Sequence, residues 1–113
     1  MITIYHNPRC SKSREGLQIV AQSGKDFTVI NYIKEPLTVN ELKDLIALLG
    51  ITPIDLVRKG ESIWKEQFKG KTLSNDQIIQ AMVDYPRLME RPVVVHGKNA
   101  IIGRPPLNIK SIL

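Results

Sequence analysis

ITIYHNPRCSKSREGLQIV, residues 2–20, changes from a strand pattern to a helix pattern within a few positions. Residues 2–5 alternate and are mostly β-branched or aromatic, which is typical of a strand. An Asn-Pro pair then indicates a turn, and apolar residues recur at helical spacing from Ser11 to Val20. A second strand pattern, FTVINYI, follows at 27–33. Strand, helix and strand in this order predict a parallel βαβ unit.

The middle of the chain carries the signals of helix starts. In LTVNEL (37–42) and SNDQ (74–77), a Thr or Ser stands three residues before a Glu or Gln, which is the pattern of a capping box. TPID (52–55) combines a cap residue, a proline and an acidic residue, and it predicts another short helix. SIWKEQF (62–68) predicts one or two further turns. We therefore expect a helical insert after the βαβ unit.

The last part of the sequence predicts a β-hairpin and a short helix. RPVVV, HGKN and AIIG, within 91–103, predict a strand, a four-residue turn and a strand. The helix is expected after Pro105-Pro106. The order β-α-β, helical insert, β-β-α predicts an α/β protein with a four-stranded mixed sheet flanked by helices, as in the thioredoxin-like fold. We expect residues 1–113 to form this single domain.

Composition narrows the classes of function. The 113 residues, of which 42% are hydrophobic, suit one modest core. The N-terminus turns polar after five positions and no apolar run approaches the length of a bilayer span, so we expect a cytoplasmic protein without a membrane segment. The net charge of +5 favours an anionic partner, while scattered basic residues and 5% aromatic residues argue against nucleic acid. A single cysteine excludes an internal disulfide and a thiolate metal cluster, and we expect no metal.

That cysteine, Cys10, falls at the predicted start of the first helix. Unpaired N–H groups and the positive end of the helix dipole stabilise a thiolate there, and nearby cations do the same. Such settings lower the pKa of a cysteine from about 8.5 by one to several units. The same N–H groups can bind a tetrahedral oxyanion. The alternative is a small buried hydrophobic residue, but the polar and charged neighbours favour a reactive thiol.

Other polar residues are candidates for the same site, each with an ordinary alternative. His6 either stabilises the thiolate or accepts its proton, or it is a turn histidine that bonds the backbone. The Ser13 hydroxyl either bonds the thiolate or stabilises the first helical turn. Arg14 is either a solvated charge or a cation near the anion site. Three further arginines stand at expected turns or strand ends, where binding groups collect; they are Arg58, Arg91 and Arg104.

Three blocks occur in one order along the chain: YHNPRCSKSR (5–14), DLVRKGE (55–61) and RPVVVHGKNAIIGRPP (91–106). Together they resemble the glutaredoxin-linked ArsC family of arsenate reductases, over essentially the whole chain. The resemblance implies that Cys10 is the catalytic nucleophile, that His6 stabilises its thiolate and that the Ser13 hydroxyl bonds it. It implies that the oxyanion is held by arginines, which are Arg58, Arg91 and Arg104. Pro92 matches the cis-proline beside the active cysteine of thioredoxin-like folds.

The resemblance also implies the partners. The substrate would be arsenate or a similar small oxyanion, which forms a thiolate–arsenate adduct. Glutathione would be the co-substrate that reduces arsenate(V) to arsenite(III), and glutaredoxin would clear the remaining mixed disulfide. No bound cofactor is expected. The single cysteine agrees with this scheme, because the second thiol has to come from another molecule.

Two other functions are compatible with a reactive thiol on this fold. One is a glutathione-dependent thiol–disulfide oxidoreductase without arsenate activity. The other is an Spx-like regulator that binds RNA polymerase. Spx-like proteins use a CxxC switch, and Ser13 stands where the second sulfur would be. The three arginines favour the arsenate reductase over both.

Overall fold

The computed structural model describes every residue from Met1 to Leu113 and has two compact units. One unit comprises residues 1–35 and 91–113, and the other comprises residues 36–90. The first contains the sheet, and the second corresponds to the predicted helical insert. No helix is long and apolar enough to cross a lipid bilayer.

The sheet unit contains four strands in the spatial order β2-β1-β3-β4. Strand β1 pairs in parallel with β2 and antiparallel with β3, which pairs antiparallel with β4. The sheet is therefore mixed, and the α/β fold predicted from the sequence is confirmed. The helices of this unit are α1 and a 3₁₀-helix at Pro106–Ile112. The bounds are Ile2–His6 (β1), Ser11–Gln22 (α1), Phe27–Asn31 (β2), Val93–His96 (β3) and Asn99–Ile102 (β4).

Burial alternates along β1 and identifies the face of the strand that packs against α1. Ile2, Ile4 and His6 are buried, while the residues between them are half-buried. Because successive side chains of a strand point to opposite faces, these three share one face. Ile2 and Ile4 pack in one core cluster with Val20 of α1, Val94 and Ile109. His6 thus lies on the same face of the sheet as this core, at the end of β1 that leads toward Cys10.

The helical unit contains α2 (Val39–Leu49) and α3 (Asn75–Asp84), with short 3₁₀ and π segments around them. Both predicted capping boxes are present, with Thr38 and Glu41 at α2 and Ser74 and Gln77 at α3. Shorter helical segments lie at Pro53–Leu56, Trp64–Phe68 and Pro86–Leu88. The predicted helical insert is confirmed.

The hairpin differs from its prediction in one detail. The four-residue turn HGKN includes one residue of each strand, because His96, the last residue of β3, pairs with Asn99, the first residue of β4. Only Gly97 and Lys98 lie in the loop. Gly97 has a φ of 63°, which glycine adopts without the steric cost that a Cβ atom brings. A two-residue loop with glycine first is a common hairpin connection.

Candidate active site

Cys10 is the N-cap residue of α1. Its backbone is extended, with φ −96° and ψ 124°, and its carbonyl accepts the first helical hydrogen bond from Arg14 N at 3.0 Å. Its own N–H donates to the Asn7 carbonyl at 3.0 Å, which closes the turn before the helix. The side chain is half-buried. The thiol therefore stands where the helix presents its unpaired N–H groups.

The surroundings of Cys10 favour its thiolate. Burial raises the pKa of the thiol, but three hydrogen-bonding groups and one charge outweigh burial and lower the pKa. In decreasing order, these groups are the Ser13 N–H, the Arg91 guanidinium and the Lys12 N–H, and the charge is that of Arg91. The Cys10 side chain forms no regular capping hydrogen bond with these two N–H groups. They act as oriented dipoles at the positive end of α1.

The Ser13 hydroxyl is engaged by the preceding loop. It lies 2.7 Å from His6 Nδ1 and accepts a hydrogen bond from Asn7 N at 2.9 Å. Ser13, His6 and Asn7 are all buried. The polar part of Ser13 that acts on the thiol is thus its backbone N–H. The hydroxyl ties the end of β1 to the first turn of α1.

His6 is held in its neutral form. Burial lowers the pKa of the imidazole most, a hydrogen bond with the backbone of Ser13 raises it in part, and the charge of Arg14 lowers it further. The net effect is a pKa below the usual 6.5. His6 is therefore a neutral hydrogen-bonding partner at pH 7 rather than an imidazolium.

Arg14 lies on the exposed side of α1 and supports the same loop. Its Nη1 donates to the Pro8 carbonyl at 2.9 Å. Ser13 and Arg14, adjacent in the first turns of α1, therefore bond Asn7 and Pro8 respectively. These two contacts fix the course of the chain immediately before Cys10.

The buried arginine of the site is Arg91, which is separated from β3 only by Pro92. It is 4% exposed, and its guanidinium acts on the Cys10 thiol by hydrogen bonding and by charge. The peptide bond between Arg91 and Pro92 is cis, as the resemblance implied. Strand pairing brings them here, because β3 lies beside β1 in the sheet. A long-range contact thus completes a site that begins as a local turn.

The other two predicted arginines have different positions. Arg104 lies in the exposed turn after β4, where its N–H donates to the Ile102 carbonyl at 2.9 Å. The Arg104–Pro105 bond is also cis, which the sequence did not suggest. Arg58 belongs to the helical unit and lies 3.8 Å from Glu61, measured from Nη1 to Oε1. Arg91 is the one that the structure places at the thiol.

The sequence predicted no role in the site for Asn7. Asn7 is buried, its N–H donates to Ser13, and its Oδ1 accepts from Arg9 N at 3.1 Å. Its signal was the Asn-Pro pair, which indicated only a turn. No group of three or more His, Cys, Asp and Glu side chains is arranged to hold a metal ion.

The sheet and the placement of Cys10 and Pro92 define a thioredoxin-like protein with a single thiol at the start of its first helix. A model described as "ArsC family" matches residues 5–112. The chain belongs to the ArsC family.

Several known proteins are similar over the whole chain. "Uncharacterized protein YfgD" of Escherichia coli (strain K12) is 44% identical, over 99% of this chain and 96% of that protein. "Arsenate reductase" of Neisseria meningitidis serogroup A is 38% identical, over 99% and 97% respectively. The solved structure of "Arsenate reductase from Vibrio cholerae" superposes with a TM-score of 0.94 at 41% identity, covering 99% of this chain and 97% of that one.

Proposed function

We propose that the protein is an arsenate reductase, with Cys10 as nucleophile and glutathione and glutaredoxin as external thiols. The observation that carries the proposal is the Cys10 thiol at the N-terminus of α1 beside the buried Arg91 guanidinium. Similar proteins named arsenate reductase support the choice of arsenate among the oxyanions.

The first step is attack by the Cys10 thiolate on arsenate. A bond forms between Sγ and arsenic, one As–O bond breaks, and the departing oxygen leaves as water after protonation. Negative charge on the remaining oxygens is stabilised by Arg91 and by the N–H groups at the start of α1. The same groups stabilise the thiolate before attack. The nucleophile and the anionic substrate are therefore both stabilised at one position.

The second step reduces the arsenic. Glutathione supplies the second sulfur, so that Cys10 and glutathione each lose one electron and arsenic gains two. The products are arsenite(III) and a mixed disulfide between Cys10 and glutathione. Glutaredoxin then regenerates the Cys10 thiol by thiol–disulfide exchange. The scheme needs no bound cofactor, and it belongs in the cytoplasm, where glutathione is kept reduced.

The remaining candidates support this chemistry in different ways. His6 and Ser13 hold the loop that carries Cys10, and the Ser13 N–H faces the thiolate. Arg14 supports the same loop through Pro8. We assign Arg104 and Arg58 to oxyanion binding on the resemblance of their sequence blocks. Pro92 fixes the backbone next to Arg91.

Arsenate-dependent NADPH oxidation, coupled through glutathione reductase and glutaredoxin, tests the proposal. We expect turnover with the natural sequence, none with Cys10→Ser, and none when glutaredoxin is omitted. Arg91→Lys keeps the charge but loses the planar donor fork, so we expect reduced turnover. If the pure, folded protein supports no arsenate-dependent oxidation of NADPH in this coupled assay, the proposal is overturned.

One observation favours a second function, a glutathione-dependent thiol–disulfide oxidoreductase. A low-pKa thiol with a single arginine suits attack on a mixed disulfide as well as on an oxyanion. Removal of glutathione from a glutathionylated peptide, in the absence of arsenate turnover, would select this function.

A further inference from the structure

Pro92 is confined by two glycines from different parts of the sheet unit. Gly16 lies on α1 and Gly103 directly follows β4, and both are buried. A Cβ atom on Gly16 would lie 2.5 Å from Pro92 Cγ, and one on Gly103 would lie 2.9 Å from the same atom. Carbon atoms at such distances overlap, since the best contact is at about 3.5–4.0 Å. The two glycines therefore provide the space that the proline ring fills.

The ring cannot yield as a long side chain would. Pro92 is fully buried, its ring is closed onto its own backbone, and its carbonyl accepts a hydrogen bond from Gly103 N at 2.8 Å. Ile109 fills the adjoining space, with Cδ1 at 3.0 Å from the added Gly16 Cβ and at 2.9 Å from the added Gly103 Cβ. A displacement of the ring is thus passed to the backbone of the preceding residue, Arg91.

We propose that Gly16 and Gly103 are positioning residues that set the place of the Arg91 guanidinium beside Cys10, acting through the ring of Pro92. This inference rests on the thiolate role proposed above for Cys10. On this inference the two glycines contribute to the active site as well as to core packing, because Pro92, which they constrain, directly follows Arg91, which stabilises the thiolate. Neither glycine needs to touch substrate for this.

The pH dependence of Cys10 alkylation by iodoacetamide tests the inference, because the chain has no other cysteine. Arg91→Ala removes the positive charge that stabilises the Cys10 thiolate, and it is expected to raise the thiol pKa by roughly one unit or more. Gly16→Ala and Gly103→Ala move this charge and are expected to raise the thiol pKa by roughly half a unit, which lowers the alkylation rate about threefold at pH values below that pKa. Gly103→Ala is the milder change if Gly16→Ala does not fold.

Two controls separate positioning from loss of stability. Val20→Ala removes volume from the core on the same helix and is expected to lower the unfolding midpoint without moving the thiol pKa. In an Arg91→Ala background, Gly103→Ala is expected to cause no further rise, because the route through Arg91 is already lost. A glycine variant with an unchanged thiol pKa overturns the inference, and so does an equal rise in the Arg91→Ala background.

These outcomes stay distinct from a failure of the proposed function. A natural protein whose thiol titrates at the ordinary value removes the thiolate on which both proposals depend. A low thiol pKa without arsenate turnover overturns only the arsenate assignment, because alkylation needs neither arsenate nor glutathione. A low thiol pKa that the glycine variants leave unchanged overturns only the positioning role.

Discussion

Among the individual residues, His6 departs most from the role that sequence resemblance suggests. It is buried on the core face of β1, close to Ser13 and under the influence of the positive charge of Arg14. A neutral imidazole stabilises a thiolate less than an imidazolium would. The groups that stabilise the Cys10 thiolate electrostatically are therefore the Arg91 guanidinium and the N–H groups of α1.

The pKa of His6 can be followed by NMR as the shift of its ring protons with pH. We expect a midpoint below 6.5, because burial and the charge of Arg14 both disfavour the protonated form. Arg14→Gln removes the like charge and is expected to raise the midpoint. Arg9→Gln, at a neighbouring exposed arginine, is the matched control and is expected to leave it in place. A midpoint above 6.5 in the natural protein would contradict the neutral assignment.

Among the elements, the N-terminus of α1 differs from those of the other two long helices, α2 and α3. Helices α2 and α3 close their N-terminal N–H groups with capping boxes and carry an acidic residue in the first turn. Helix α1 has neither, and its N-cap residue is Cys10. Cations at Lys12 and Arg14 lie near its start, where the dipole disfavours them. The N-terminus of α1 is therefore less stabilised by local interactions than those of α2 and α3, and its N–H groups remain available to an anion.

Replacing Cys10 by a good cap residue is expected to stabilise the fold. In Cys10→Asp, the carboxylate accepts hydrogen bonds from the first N–H groups of α1, worth about 0.5–2 kcal/mol. Urea unfolding at pH 6 should show a higher midpoint for the variant, which has no reductase activity. Thr38→Asp, which exchanges one cap for another on α2, is the control and should change little. A lower midpoint for Cys10→Asp would contradict the account of α1.

Local sequence signals predicted the elements well, and long-range contacts explain what they left out. Thr38 with Glu41 and Ser74 with Gln77 are decided within four residues, so the capping boxes could be predicted. The placement of Cys10 at a helix start was equally local. Arg91 reaches the thiol because β3 pairs with β1, a contact about ninety residues apart in sequence. Its position at a strand end made it one of three candidate arginines, but nothing local distinguished it from Arg58 and Arg104, and the glycines around Pro92 carried no signal.

At the scale of the whole molecule, Cys10 and His6 make stability depend on pH in the same direction. The folded state lowers the pKa of the Cys10 thiol, so the folded protein releases this proton at a lower pH than the unfolded chain. The resulting stability is fully present above the unfolded pKa and is lost as pH falls through the folded pKa. His6 also has a lowered pKa, so below about pH 6.5 the unfolded chain takes up a proton that the folded protein resists.

The difference in unfolding free energy between the natural protein and Cys10→Ala isolates the thiol, because all other titrating groups are common to both. We expect this difference to be constant in acid, to rise with pH across the window between the folded and unfolded pKa values, and to level off above about pH 8.5. Urea unfolding at a series of pH values between 5 and 9 measures it. Arg91→Ala should shift the lower end of the window toward higher pH, because the charge that depresses the folded pKa is gone. A difference that stays flat over the whole range would mean that folding leaves the thiol pKa unchanged, and the helix start would then lose its role in activating Cys10.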